Sequence, residues 1–292
     1  MTEKNLMLFH VCTRGLPKAL LFSSADDFRI GMKLIPLCLL GKEAPTIYAF
    51  CLMDNHVHFI LRGNYCGCLA FIRTYKWCLS RKFGSMGRPG IFREGGEVLL
   101  KEMTDPLYVA QAIAYVLRNP VKAGMHVTPQ GYPWSSARLY FSADDREPVG
   151  CRRIDSLSSK ERKAITNNYK RLPADWLIDR GGMILPESYI NVRAVEAVYG
   201  RPGQFMYWLN KADDKVLELD SGVAAKSRYT YEELETNMNE IIVNHFGKSG
   251  LKDLGMQSRA ELASIMKRRF GASPARLSLL LGIEKDILSK LI

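Results

Sequence analysis

The stretch Met53-Asp54-Asn55-His56-Val57-His58-Phe59-Ile60-Leu61 runs from a turn-forming pair into an apolar strand, and it carries two of the five histidines in a chain of 292 residues. Asp54 and Asn55 suit the turn of a hairpin whose arms are Ile47 to Met53 and Val57 to Arg62. Side chains alternate faces along a strand, so His56 and His58 fall on one face about 6.6 Å apart along it. That is half of a metal site.

The other half is expected from Asp105 to Gly124, DPLYVAQAIAYVLRNPVKAG. Val109, Ile113, Val116 and Leu117 recur at helical spacing, and Asn119-Pro120 predicts the stop, because a residue before proline is pushed away from the helical region. Tyr115 and Asn119, four residues apart, face the same way. A tyrosine nucleophile and an amide ligand opposite a two-histidine strand would suit phosphodiester cleavage. A tyrosine hydroxyl, with an ordinary pKa near 10, needs a cation to polarise the phosphate it attacks. Tyr75 and Tyr108 are rival nucleophiles on composition alone, and a strand histidine is often only a packed residue. His10, His126 and His245 read as structural or surface residues.

The string MDNHVHFIL, followed by AYVLRNPVKAG at 114–124 and YPWSSARLY at 132–140, resembles the single-tyrosine HUH transposases, in particular the REP-associated tyrosine transposases. FHVCTRG near the start and IFREG at Phe92 fall in the same order, so the resemblance covers about residues 5 to 142. It implies an α+β chain whose N-terminal domain, 1–142, is ferredoxin-like with a central antiparallel sheet. By position it implies His56, His58 and Asn119 as metal ligands and Tyr115 as nucleophile. The cofactor implied is Mg²⁺ or Mn²⁺, the partner single-stranded DNA at a hairpin-type repeat, and the product a 5′-phosphotyrosine with a free 3′-hydroxyl. The resemblance leaves the oligomeric state open, since some single-tyrosine transposases are swapped dimers with the tyrosine acting in trans and the REP-associated branch looks monomeric. Two other classes stay open: a non-catalytic DNA-binding regulator that keeps the fold, and a hydrolase whose histidine pair activates water and makes Tyr115 dispensable.

Charge points to a polyanionic partner. The chain has 41 basic and 30 acidic residues, net +11, and residues 1–142 hold 17 basic against 9 acidic ones. Lys76, Arg81, Lys82, Arg88 and Arg93 interleave with Tyr75, Trp77, Phe83 and Phe92, a mixture suited to phosphate neutralisation and base stacking on one strand. Arg14, Lys76, Arg81, Lys82, Arg93, Arg118 and Lys122 are the expected DNA contacts. A solvated helix face over core aromatics is the alternative.

Seven cysteines, an odd number without Cys-x-x-Cys pairs, predict reduced thiols and a cytoplasmic location. Cys66-Gly67-Cys68 lacks the second pair a metal clip needs. No signal peptide or membrane span is expected: Leu6 to Val11 is short, and Leu34 to Leu40 contains Pro36. Leu6 to Thr13 reads as a strand, Ala25 to Leu40 as a helix interrupted by its proline, and Cys68 to Phe83 as a helix before a glycine-rich turn.

SADDREPVG, 142–150, reads as a boundary, with 143–228 as a linker or intermediate region and 229–292 as a helical domain. GASPARLSLLLGIEKDILSKLI, 271–292, resembles a helix-turn-helix, similar in layout to the DNA-binding C-terminal domain of the bacterial replication initiator. One helix would start at Ser273 and a second at Glu284 after a turn at Gly282-Ile283, offering Lys285, Asp286, Ser289 and Lys290 to duplex DNA. An ordinary helical bundle explains the same apolar spacing.

Overall fold

A computed structural model of the chain describes residues 6–16, 20–93, 95–142, 150–166, 171–211, 231–270, 272, 274–284 and 287–288. The fold is a mixed α+β one, with a sheet-and-helix N-terminal region and a mostly helical C-terminal region. The first region runs β1 (Met7–Thr13), α1 (Ala25–Cys38), β2 (Thr46–Leu52), β3 (Val57–Gly63), α2 (Tyr65–Ser85), β4 (Val98–Met103) and α3 (Pro106–Lys122). Its four strands form one antiparallel sheet in the order β2-β3-β1-β4.

The expected hairpin is β2–β3. The Met53 amide donates to the His56 carbonyl at 2.9 Å, while Phe22 and Leu16 donate to the carbonyls of Asp54 and Asn55. The turn is therefore clamped from inside and outside. β3 alternates strictly: Phe59 packs its ring on Phe71 and Tyr75 of α2, whereas His58 packs on Tyr115 of α3. Neighbouring residues of a strand face opposite ways, so α2 and α3 cover opposite faces of the sheet.

Helix α1 begins at Ser24, whose side chain caps the Asp27 amide, and buries Phe28, Met32 and Ile35 at helical spacing. Pro36 does not interrupt it; the helix reaches Cys38, and the Leu39 amide closes it on the Pro36 carbonyl. Pro120 likewise fails to stop α3. The helix continues to Lys122, and its end is set by Gly124 at φ 63°, with Gly124 N–H bonded to the Val121 carbonyl and Met125 N–H to the Pro120 carbonyl. This left-handed glycine stop satisfies the carbonyls of Pro120 and Val121, which the end of the helix would otherwise leave open.

The outer edge of β2 is closed by the Trp134 to Ser136 segment. Leu52 N–H donates to the Trp134 carbonyl at 2.9 Å, Phe50 N–H to Ser136 Oγ at 3.0 Å, and Tyr140 OH to Ser136 Oγ at 2.8 Å. At the other end of the same edge, Ile190 bridges Ile47.

Part of the middle stretch belongs with the sheet. β5 (Arg152–Arg153), α4 (Ser159–Thr166) and β6 (Leu177–Ile178) precede α5 (Val192–Tyr199) and α6 (Pro202–Asn210). Tyr189, Ile190, Val195, Tyr199, Phe205 and Leu209 join the core formed by the N-terminal elements, so the stretch is not a linker throughout. Of the expected boundary, residues 143–149 lie outside the described residues, as do 212–230.

The C-terminal helices are α7 (Tyr231–Phe246), α8 (Met256–Phe270) and α9 (Pro274–Leu281). They share a core of their own that includes Leu234, Ile242, Leu262, Met266, Leu277 and Leu281. A turn with Gly282 at φ 64° follows α9, while Lys285, Asp286, Ser289 and Lys290 lie outside the described residues. Arg276 of α9 is paired with Asp54, and Glu232 of α7 accepts from the Ala25 amide at 3.2 Å. Among the described residues, no helix is long and apolar enough to cross a membrane.

Candidate metal centre

His56 and His58 converge as the alternation requires. Their Nε2 atoms are 2.9 Å apart, and His56 Nδ1 donates to Asn55 Oδ1 at 2.6 Å. An amide oxygen can only accept, so this bond fixes the proton on His56 Nδ1 and leaves the Nε2 lone pair pointing at His58. Two imidazole nitrogens each about 2.1 Å from one ion, at bond angles of roughly 90–110°, stand about 3.0–3.4 Å apart. The observed gap of 2.9 Å lies just below that range, at the distance of a hydrogen bond between the two rings.

Both rings are held neutral. Burial pushes His56 down to about 4, against the pull of Asp54, and His58 lies well below the ordinary imidazole value because of its burial and its neighbours His56 and His10. Neutral imidazole is the form that binds metal.

Sequence reasoning missed two residues here. His10 and Cys12 lie on β1, which pairs with β3 in a register that sets Cys12 opposite His58. His10 Nε2 is 3.2 Å from His58 Nδ1, and the rings stack with centroids 5.3 Å apart. One ligand atom from each of His10, Cys12 and His58 lies within 4.8 Å of the others, and this buried cluster can hold a metal ion. His10, expected to be a structural residue of the first strand, is a member of this cluster. The signal was present in FHVCTRG, where strand alternation puts His10 and Cys12 on one face, but the β1–β3 register that brings them to His58 is not written locally.

Tyr115 joins the group from α3. Its ring centroid is 5.7 Å from His58 and 6.0 Å from His10, both edge-on, and Lys122 Nζ lies 5.6 Å from the ring centroid. The rival Tyr75 is on the opposite face, with its hydroxyl donating to the Gly31 carbonyl at 3.2 Å. Tyr108 lies under Lys101, whose Nζ is 4.8 Å from its ring. Asn119 is buried on the same helix, and its amide nitrogen donates to the Tyr115 carbonyl at 3.1 Å.

The expected DNA contacts divide. Arg14, Arg81, Lys82 and Arg93 are exposed, and Arg81 stacks on the exposed Trp77 at 4.8 Å. Lys76 is half-buried, bonded to the Gly96 carbonyl and seated over Phe92. Arg118 is buried, and its guanidinium donates to the carbonyls of Trp208, Leu209 and Lys211, closing the end of α6. Arg118 is a helix clasp rather than a surface cation. Arg88 is bound to Asp27 at 2.7 Å. In Cys66-Gly67-Cys68 the first thiol is exposed and the second buried, so the two do not face one site. His126 bonds to Thr128 and His245 to Glu261, both at the surface.

No family model, no curated protein and no solved structure matches this chain.

Proposed function

We propose that this protein is a metal-dependent single-stranded DNA nickase and strand transferase of the single-tyrosine HUH type, with Tyr115 as nucleophile. The observation that carries the reading is the meeting of Tyr115, on α3, with His58, on β3, at 5.7 Å between ring centroids. Neither residue predicts the other by local pattern, and the fold brings them together. The β-α-β-β-α-β succession is that of ferredoxin-like domains and supports the same assignment.

His56 and His58 would hold a divalent ion through their Nε2 atoms, and such an ion would polarise a phosphate oxygen and orient the ester. Mn²⁺ accepts imidazole more readily than Mg²⁺ does. Asn119 would complete the set through its amide oxygen, since its bond to the Tyr115 carbonyl uses only the amide nitrogen. Tyr115 Oη loses its proton and forms the new O–P bond while the P–O3′ bond breaks, and the departing 3′ oxygen takes up a proton. The ester so formed keeps the energy of the broken bond, so another 3′-hydroxyl can reverse the step without ATP. Exposed Arg14, Arg81, Lys82 and Arg93 supply phosphate contacts, with Trp77 as a stacking platform. The likeness of residues 271–292 to a helix-turn-helix makes duplex DNA a second partner for the C-terminal helices.

One observation favours the non-catalytic regulator: Tyr115 is 1% exposed, and His56 and His58 are 2% and 0%. Catalysis needs that site to open. Both readings are tested by incubating the protein and its Tyr115→Phe variant with labelled hairpin oligonucleotides and Mn²⁺, then separating them under denaturing conditions. The nickase predicts label on the wild-type protein and none on the variant. Binding without cleavage in both would leave the regulator, and free cleaved DNA without an adduct would make the protein a hydrolase.

A further inference from the structure

We infer that His10 Nε2, Cys12 Sγ and His58 Nδ1 form a second metal site, for a thiophilic ion of the zinc class, and that filling it disables the His56 side of His58. The binding step stands on the cluster alone. Its consequence for DNA cleavage rests on the nickase reading.

Three features define the site. Cys12 and His58 are directly opposed across β1 and β3, and His10 is two residues from Cys12, so all three side chains occupy one face of the sheet. Their ligand atoms lie within 4.8 Å of one another and their residues are 3%, 3% and 0% exposed. The donor set is two imidazole nitrogens and a sulfur, with no oxygen. Hard Mg²⁺ takes oxygen ligands, whereas Zn²⁺ takes this combination with bonds of about 2.0–2.1 Å to nitrogen and 2.3 Å to sulfur. Binding releases the Cys12 proton, so the ion enters with one compensating thiolate charge. In a pocket this dry, a residual single charge is much less costly than the double charge of an ion held by imidazoles alone.

Exclusion follows from the chemistry of one ring. A neutral imidazole has one lone pair and one N–H. With the proton on Nδ1, His58 donates to His10 Nε2 and offers its Nε2 lone pair beside that of His56. With a metal on Nδ1, the proton moves to Nε2, which faces the His56 Nε2 lone pair at 2.9 Å and donates to it. That single hydrogen bond consumes both catalytic-side donors. The histidine pair and the thiophilic cluster are therefore alternative states of the same residue.

The test uses the full chain and Co²⁺, whose thiolate complexes absorb in the near ultraviolet. The wild type and His56→Ala should give the thiolate band, and Cys12→Ser should lose it. Affinity in Cys12→Ser should fall by more than the 10–100-fold typical of disturbing an outer-shell partner. Zn²⁺ should raise the melting temperature of wild type more than that of Cys12→Ser, a comparison that also shows whether the variant is folded. Absence of the band in wild type, or its survival in Cys12→Ser, overturns the proposal. Mn²⁺ binding, followed by its electron paramagnetic resonance, separates the two readings. Mn²⁺ bound through His56 without a cobalt–thiolate band sinks only this inference, while the band without any DNA adduct sinks only the nickase.

Discussion

Arg276 of α9 and Asp54 of the β2–β3 turn form an ion pair across 222 residues of chain, with side chains 9% and 11% exposed. The carbonyl of Asp54 also holds the Phe22 amide, so one residue ties the C-terminal helices to the turn that delivers His56. Removing one partner of such a pair strands a charge at little solvent contact. Arg276→Ala should therefore destabilise the protein by about 3–5 kcal/mol in urea unfolding. Adding Asp54→Asn should recover part of the loss. Strict additivity of the two changes would mean that the pair does not form in solution.

Acid should weaken the metal-free protein through the histidine pair. His56 has its pKa lowered from 6.5 to about 4 in the fold, and His58 shifts in the same direction. Above pH 6.5 the folded and unfolded chains both carry these rings neutral, and stability is full. Between 6.5 and about 4 the unfolded chain binds protons that the fold refuses, so stability declines as pH falls and the His56 share levels off below about 4. Urea midpoints measured across this range in EDTA should show the decline. His56→Gln should flatten it, and an unchanged profile would mean that His56 is not buried neutral.

The WSS segment should prove to be a lock on the sheet rather than part of the chemistry. Ser136 Oγ accepts from the Phe50 amide and from Tyr140 OH, and Ser136 is fully buried. Ser136→Ala leaves the Phe50 amide without its oxygen, at a cost of about 1–3 kcal/mol, while Tyr140 OH keeps the Tyr48 carbonyl. DNA cleavage per folded molecule should not change. A variant as stable as wild type would contradict these bonds.

Gly67 should not tolerate alanine. A Cβ there would stand 2.3 Å from the Glu43 carbonyl oxygen, a backbone atom that cannot swing aside, while Gly67 N–H bonds to the capping Asn64 at 2.6 Å. Helix propensity would favour alanine by about 1 kcal/mol, and overpacking opposes it by about 1–3 kcal/mol. The net effect should be a lower melting temperature. The glycine between Cys66 and Cys68 is thus explained by a close approach. Cys68 itself, pushed up to about 12 by burial, should resist alkylation while the exposed Cys66 reacts.

Much of the N-terminal fold was legible because its signals are local. The β2–β3 hairpin follows from Asp54-Asn55 between apolar runs, and α3 from the spacing of Val109, Ile113 and Val116. β4 was missed because Val98 to Met103 is an edge strand with only Met103 buried, so it shows no clean alternation. Pro120 misled because its backbone constraint is a bias, and the glycine stop beyond it decides where α3 ends. At the site, His56, His58 and Tyr115 could be named from spacing and resemblance. The meeting of Cys12 and His10 with His58 could not, since it depends on which strand lies beside β1. Arg118 read as a surface cation for the same reason: the carbonyls that bind it belong to residues 208–211, and nothing in its own helix announces them.

The sealed margin of β2 gives the sheet a direction of growth. With Trp134 to Ser136 and Ile190 occupying that side, a foreign strand has no hydrogen-bonding ladder to join there. The opposite margin is β4, paired through Leu8 to Thr13 on its inner side only among the described residues. Any self-association by strand addition, whether productive pairing or aggregation, would begin along Val98 to Met103. Lys101 and Glu102 already place exposed charges on that margin, so a proline there, and not in β2, is the substitution that would block strand addition.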